Sequence, residues 1–459
     1  MIRSILAVDI GTSSLKAGII DENGLLVAWA HVPLLLDTNE LNAWNADRWV
    51  QALAQACKKL QPKGVAGLSG VVISGQGPTL VPVGKDGKAV APALLWIDKR
   101  FDKIPGQPSY FLPYIRSFIQ REPETAAHVS CYVPCTEYLA SQLGARQVAV
   151  IPNQRYSDSY WDDAQCQAYG LPRSIFPESV LPATIIGEVS RTASRQFHLP
   201  PGLPIIAGGP DFLVSLLGTS TLEPGDCCDR AGSSEGLNAC SPLQLQHEGL
   251  RTLPHLLSDF WNVSGIISSS GLLFEWFRRM TGQSKRSHAD MLEEVEALGK
   301  SSDLPVFIPG FEQGGGFTDG IFWGLNQTHG PVHISRAVVE SIGFSVKDAL
   351  ERIRAAGIAV KEIRACGGQA KNPAWCRMKA DILGIPLLVP AIEDAELTGD
   401  AVLGFYGLGL FPSVEDAAKT LVRFEKRYEP RNDMTHYFNQ RASIHAELIQ
   451  RCVAVNKSR

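Results

Sequence analysis

The chain has 459 residues, 45% of them apolar and 20% charged, with a formal net charge of -4. That length exceeds what one hydrophobic core organises, so two large domains are expected, and the charge balance argues against nucleic acid or an anionic membrane as partner. No apolar run is long enough to span a bilayer, and the N-terminal stretch Met1 to Val8 is too short for a signal peptide; a cytoplasmic protein is the expectation.

Ile5-Leu6-Ala7-Val8 reads as a buried strand ending in Asp9, Gly11-Thr12-Ser13-Ser14 as a tight turn, and Leu15 to Ile20 as the returning strand. Asp21-Glu22-Asn23-Gly24 is a turn signal, and Leu25 to Trp29 a third strand. Trp49, Leu53, Cys57 and Leu60 recur on one face of a helix, with Asn45 as its cap. Val71-Val72-Ile73 is the next buried strand and runs into the loop Ser74-Gly75-Gln76-Gly77-Pro78. This strand–hairpin–helix–strand order predicts an α/β domain whose sheet is not wholly parallel. Residues 101 to about 180 are Pro-rich and weakly periodic, and are read as short helices and loops.

Pro204 to Asp211 is again a strand leading to a glycine turn and an acid. Leu222-Glu223-Pro224-Gly225-Asp226 has the character of a domain junction, which divides the chain into 1–221 and 222–459. Just beyond it, Cys227 to Ala231 followed by Gly232-Ser233-Ser234 echoes the first strand and its turn, hinting at two halves on related plans. Ser335 is expected to cap a helix closed by Gly357. Glu362 to Cys366 is a strand, Asn372 and Pro373 open a helix that ends at Gly384, Pro386 to Val389 is a strand, and Thr398 starts a last helix. The alternation predicts a second α/β domain.

Four places could carry chemistry. In Asp9-Ile10-Gly11-Thr12-Ser13-Ser14-Leu15-Lys16 the turn's N–H groups and hydroxyls can cradle phosphate, Asp9 can hold magnesium through oxygen, and Lys16 can reach a phosphate. Gly232-Ser233-Ser234 offers the same cradle, although a plain turn explains it as well. Gly367-Gly368-Gln369 allows a flat ring to approach the backbone, with Asn372 either bonding a purine or simply capping its helix. Asp211 can accept a proton from a substrate hydroxyl, or cap the helix from Phe212. The ten cysteines form no CxxC pair and no zinc-spaced cluster, so Cys227-Cys228 and Cys131 with Cys135 are read as reduced core thiols.

Taken in order, these motifs resemble those of the FGGY carbohydrate kinases, the family of xylulokinase, ribulokinase, gluconokinase and glycerol kinase. The resemblance adds Trp44-Asn45-Ala46-Asp47, Gly75-Gln76 as a substrate loop, and Leu95-Trp96-Ile97-Asp98-Lys99-Arg100 as the tract the family writes W-x-D-x-R. Cys366 to Gly384, with Glu396 to Leu403, is similar to its C-terminal signature. The resemblance implies an α/β fold of two actin-like, ribonuclease-H-like domains flanking a catalytic cleft, sugar on 1–221 and ATP on 222–459. It implies Asp211 as general base and Asp9 near Mg2+. Gly11, Thr12, Ser13, Lys16, Gly232, Ser233 and Ser234 would face the phosphates, with Gly367, Gly368, Gln369 and Asn372 at the nucleotide. Gln76, Asp98 and Arg100, with Asp211, would contact the substrate.

The implied reaction is ATP-dependent phosphorylation of a hydroxyl of a small sugar, with a ketopentose first and a polyol such as glycerol or a tetritol as runner-up. An idle sugar-binding relative and a sugar-independent ATPase are the other readings, the last opposed by the tracts at 74–78 and 95–100. The partners are then small sugars or polyols, with no nucleic acid and no membrane, and a homodimer is left open. Two departures bear on the sugar: Val148 to Ser157 lacks the family's aspartate tract, and Gly310-Phe311-Glu312-Gln313-Gly314-Gly315-Gly316 stands where many members carry S-G-E-R-x-P. The histidine that follows the substrate-loop glutamine in xylulokinases is either replaced by Pro78 or absent here.

Overall fold

Strand β1 (Ser4–Ile10) is buried along its whole length, as its unbroken apolar run requires of a strand covered on both faces. It pairs antiparallel with β2 (Ser14–Asp21), from Ser4 opposite Asp21 to Ile10 opposite Leu15, and β2 pairs likewise with β3 (Leu26–Pro33). Helix α1 (Asp47–Leu60) turns Trp49, Ala52, Leu53, Ala56, Cys57 and Leu60 inward. It leads to β4 (Leu68–Gly75), which lies parallel to β1 with Asp9 beside Ser74. After helix α2 (Cys135–Leu143) come β5 (Ile185–Glu188), β6 (Pro204–Pro210) and helix α3 (Asp211–Gly218). The sheet is six-stranded, in the order β3-β2-β1-β4-β6-β5, with β6 parallel to β4 and β5 antiparallel at the edge. The structure is a computed structural model, and it describes residues 2–34, 44–61, 67–98, 100, 104–267, 270–313, 316–318 and 320–456.

The second sheet repeats the plan. Strands β7 (Cys227–Ala231) and β8 (Glu235–Ser241) form a hairpin around Gly232–Ser234, followed by β9 (Arg251–Pro254) and β10 (Trp261–Ile267). Helix α4 (Gly271–Met280) and the long α5 (Pro331–Ala355) precede β11 (Ile363–Cys366), α6 (Pro373–Leu383) and β12 (Leu387–Pro390). Beyond helices α7 (Ala395–Gly407) and α8 (Val414–Leu421), β13 (Phe424–Tyr428) joins the sheet and α9 (Asn432–Asn456) ends the described chain. The order is β9-β10-β8-β7-β11-β12-β13. Both sheets thus contain a three-strand meander and two parallel strands on its first strand's side, with an antiparallel strand at that edge. The echo between the two glycine-serine turns is a true repeat of topology.

Contacts divide the chain into two units, and not at a single cut after residue 221. The first comprises Met1–Ser220, Pro254–Asp259 and Ala395–Arg423, and the second Thr221–Leu253, Phe260–Asp394 and Phe424–Arg459. Helix α7 packs closely on α3 of the first unit, with a glycine of each helix at the contact: a Cβ on Gly399 would meet the Val214 carbonyl oxygen at 2.1 Å, and one on Gly218 the Ala395 oxygen at 1.8 Å.

Several element limits differ from expectation. The third strand runs on to Pro33, because Ala28, Ala30 and Val32 alternate inward. Asn45 does not cap α1 itself; the cap position is Ala46, and Asn45 accepts the Asp47 N–H. Ser335 lies inside α5, which opens at Pro331, where the absent N–H costs nothing. Thr398 lies inside α7, which begins at Ala395. Within 101–180, short strands Cys131–Pro134, Val148–Val150 and Glu178–Val180 accompany the helices. Cys227 and Cys228 are fully buried in β7, and all ten cysteines are free.

Candidate active site

In the first unit the loop at 74–78 and the first glycine turn meet on Gln76. Its N–H bonds the Ile10 carbonyl at 2.8 Å, and its Oε1 accepts both the Thr12 hydroxyl at 2.9 Å and the Trp96 indole N–H at 3.0 Å. Among the described residues nothing accepts from the Gln76 amide nitrogen. The Cys135 thiol, at the start of α2, donates to the Gln76 carbonyl at 3.3 Å. Burial pushes that thiol well up, helped by the Glu137 and Asp211 carboxylates, so the charge of Asp211 lies close to this group.

Asp211 is half-buried and opens α3 as its first residue, the cap position being Pro210. Its Oδ1 accepts the Phe212 N–H at 2.6 Å, so it is not the helix cap weighed from sequence. Asp98 is buried and forms a bidentate pair with Arg100, at 2.9 Å to Nε and 2.5 Å to a terminal nitrogen. Hydrogen bonding from that guanidinium holds the Asp98 carboxyl below its ordinary range. Arg100 is itself exposed, and Lys99 lies outside the described residues. Gly11, Thr12 and Ser13 form the turn after β1, with the Gly11 N–H on the Ser14 carbonyl at 2.9 Å. Ser13 is exposed, and its carbonyl accepts the Leu34 N–H at 2.8 Å.

Asp9 is 3% exposed and faces Lys16 across the β1–β2 ladder, so the two share one side of the sheet. Ser74, its neighbour on β4, donates to Asp400 of α7 at 2.9 Å. Burial raises Asp400 well above a usual carboxyl and Ser74 pulls the other way, while the charges of Asp9 and Glu396 push it further up. These acids therefore lie near one another on a single face. Among the described residues no group of three or more His, Cys, Asp or Glu is placed to cage a metal.

In the second unit Gly232, Ser233 and Ser234 are exposed at the hairpin tip, with the Gly232 N–H on the Ser234 carbonyl at 2.9 Å. Gly367 brings the second glycine turn against them: its φ is +85°, and a Cβ there would meet the Ala231 carbonyl oxygen at 2.6 Å. Gly368 is exposed, and Gln369 reaches back to the Gly232 carbonyl at 3.2 Å. Asn372 caps α6 by accepting the Trp375 N–H at 2.9 Å and is 9% exposed. Each set of candidates is thus gathered within its own unit.

Sequence reasoning missed Trp96 as a partner of Gln76, Cys135 beneath the loop, Asp400 beside Asp9, and the buried Lys379 behind the second pair of turns. The available signal was a charge in an apolar frame: Asp400 within Leu397 to Phe405, and Lys379 on the inner face of α6. Of the divergent tracts, Asn153 in 148–157 is buried and accepts the Arg155 N–H at 2.8 Å, while Gly314 and Gly315 lie outside the described residues.

Comparison with known proteins follows the same division. Residues 4–106 match the N-terminal domain of the FGGY family of carbohydrate kinases, and residues 230–408 its C-terminal domain. The xylulose kinase of Lactococcus lactis is 25% identical over 92% of this chain and 91% of its own. An L-fuculokinase of Escherichia coli is 24% identical over 92% and 96%. Among solved structures, the xylulose kinase of Rhodospirillum rubrum superposes with a TM-score of 0.81 at 20% identity, covering 99% of both chains. The glycerol kinase of Plasmodium falciparum, solved with ADP, gives 0.80 at 17%, covering 98% of both. The fold is the two-domain, actin-like one of these sugar kinases, and no described helix is long and apolar enough to cross a membrane. The chain is a sugar kinase and belongs to the FGGY family of carbohydrate kinases.

Proposed function

We propose that this kinase transfers the terminal phosphoryl group of ATP to a hydroxyl of a ketopentose of the xylulose or ribulose type. The observation that carries this reading is the Thr12–Gln76–Trp96 connection, which ties the first glycine turn to the substrate loop through one side-chain oxygen. With both bonds on that oxygen, the Gln76 amide nitrogen is left to donate to a sugar hydroxyl. Asp98 and Arg100 supply a paired, polar wall suited to an uncharged polyhydroxylated ligand. The xylulose kinases of Lactococcus lactis and Bacillus subtilis, matched over more than nine-tenths of this chain, support the choice of sugar.

In this reading Asp211 orients the attacking hydroxyl and accepts its proton as the new O–P bond forms and ADP leaves. The first unit takes the sugar and the second the nucleotide: Gly232, Ser233 and Ser234 cradle phosphate, and Gly367, Gly368, Gln369 and Asn372 border the adenosine. Gly11, Thr12, Ser13 and Lys16 approach the transferred group.

The donor chemistry around Asp9 fits magnesium, which takes oxygen ligands and is held by one or two carboxylates plus substrate phosphates. Asp9, whose charge is felt by the buried Asp400, is the residue that would hold it. Bound there, the ion would neutralise developing phosphate charge.

A coupled ADP-release screen over ketopentoses, aldoses and polyols, with mass spectrometry of products, tests this reading. Turnover with xylulose or ribulose and a singly phosphorylated pentose is expected. Turnover with glycerol or a tetritol alone would replace the sugar by a polyol, and thermal stabilisation by sugars without product would mark a binding relative.

A further inference from the structure

Behind the two glycine turns of the second unit lies a buried ion cluster. Lys379 of α6 is 2% exposed, and its Nζ lies 2.6 Å from Asp229 Oδ2 on β7 and 2.6 Å from Glu235 Oε1 at the start of β8. Asp229 is wholly buried and Glu235 is 2% exposed. Two buried acids on one ammonium in a dry interior are costly, because ionised groups there have been taken out of water. They are well placed, however, to fix geometry: Asp229 and Glu235 bracket the Gly232–Ser234 turn in sequence.

The contacts continue into a closed ring. Glu235 Oε2 accepts the hydroxyl of the fully buried Ser270, the residue before α4. Ser270 Oγ accepts Gln369 Nε2 at 2.7 Å, and the same nitrogen reaches the Gly232 carbonyl at 3.2 Å. Gln369 Oε1 accepts the Trp375 indole N–H at 2.8 Å, and the Trp375 ring lies 5.1 Å from Lys379 Nζ, closing the circuit by a cation–π contact. The ring joins β7, β8, α4, the Gly367–Gln369 turn and α6. The β7–β11 ladder ends at Arg230 opposite Cys366, and beyond it the ring ties the side chains behind the hairpin tip to those behind the loop.

We propose that Lys379, acting through Glu235, Ser270 and Gln369, is a positioning residue for nucleotide binding: the ring pre-sets both glycine turns to receive the phosphates and adenosine of ATP or ADP. Lys379 itself is behind the turns and touches no ligand. Pre-organisation of this kind raises affinity by removing the ordering cost from the binding step. The inference rests on the kinase reading above, with the nucleotide on the second unit.

The test is the Kd of ADP by isothermal titration calorimetry, with KM for ATP and for the sugar phosphorylated by the wild type. Three variants are compared: Ser270→Ala, the double variant Lys379→Met/Asp229→Asn, and Val346→Ala as a core-destabilising control that makes none of the ring's hydrogen bonds. Ser270→Ala leaves Lys379 and both of its acidic partners in place, and it decides the matter if the double variant fails to fold. Ser270→Ala should weaken ADP binding and raise KM for ATP about tenfold, the scale of one lost charge-assisted hydrogen bond. KM for the sugar should stay unchanged, and Val346→Ala should lower the melting temperature with no change in the ADP Kd. An unchanged ADP Kd in Ser270→Ala, or an equal rise in both KM values, would overturn the proposal while the kinase reading stands. A wild type that phosphorylates sugar but binds ADP only through the first unit's turn would overturn the nucleotide assignment and this inference with it.

Discussion

Ser74 donates its hydroxyl to Asp400 at 2.9 Å, both side chains fully buried and 326 positions apart in sequence. The bond fastens the strand that leads into the 74–78 loop to a helix that returns to the first unit from the far end of the chain. The unit that holds Asp9, Gln76 and Asp211 is therefore not completed until Ala395–Arg423 has folded onto it.

Removing the hydroxyl should show this directly. Ser74→Ala leaves a buried carboxyl group short of a donor and should cost about 1–3 kcal/mol in urea unfolding. In an Asp400→Ala background the same change should cost less than half as much, because the partner is already gone. Equal costs in both backgrounds would show that the bond contributes nothing.

Helix α3, which begins with Asp211, is seated on α7 through glycines on both sides. Gly399→Ala would place a methyl 2.1 Å from the Val214 carbonyl oxygen, so one helix must move away from the other. Overpacking of this order costs about 1–3 kcal/mol. Because the displaced helix carries Asp211, kcat should fall more than stability alone explains, as measured well below the melting temperature. A variant of lowered stability with normal kcat would separate the packing from the chemistry.

Glu340 stands between two buried arginines in the second unit, accepting Arg336 Nε at 2.7 Å and Arg441 Nε at 2.9 Å. Arg441 also donates to the Leu304 and Pro305 carbonyls at 3.0 and 2.8 Å, which ties α9 to the unit. Glu340→Gln removes the counter-charge of both guanidinium groups and should cost about 3–5 kcal/mol. A loss below about 1 kcal/mol, against that expectation for a broken buried pair, would contradict the role.

Asp229 gives a pH prediction with a definite sign. Its carboxyl is pushed up to about 8, first by burial and then by the Glu235 carboxylate, against the pull of Lys379. The folded chain keeps this proton at pH values where the unfolded chain has lost it. The stabilisation is therefore present in full below about pH 4 and is lost as pH rises to about 8. Asp229→Asn has nothing to titrate there, so its melting temperature should fall less steeply than the wild type's between about pH 4 and 8. Parallel curves for the two proteins would contradict the shift.

What could be read in advance was what neighbouring residues decide. The run Ile5 to Val8, the turn at Gly11-Thr12-Ser13 and the Asn372-Pro373 helix start were each legible because a local pattern carries a local preference. Ser335 misled because a serine is a good cap, yet the proline four residues earlier had already set the helix going. The strand Cys131–Pro134 was hidden in four residues of a Pro-rich tract. Asp229, Glu235 and Lys379 could be seen in the sequence only as single charges, since 150 and 144 positions separate the lysine from its two partners. The same holds for Gln76 and Thr12, whose bond spans 64 positions: each was chosen for its motif, and only folding shows that they touch.

The most direct test of the account is sugar-dependent ADP release by Asp211→Asn, measured beside its ADP affinity. The amide cannot take the hydroxyl proton, so turnover should drop at least about a thousandfold, within the range of general-base losses. ADP binding and the melting temperature should stay close to the wild type's. A variant that keeps full turnover would contradict Asp211 as the base and with it the reading of how this kinase works.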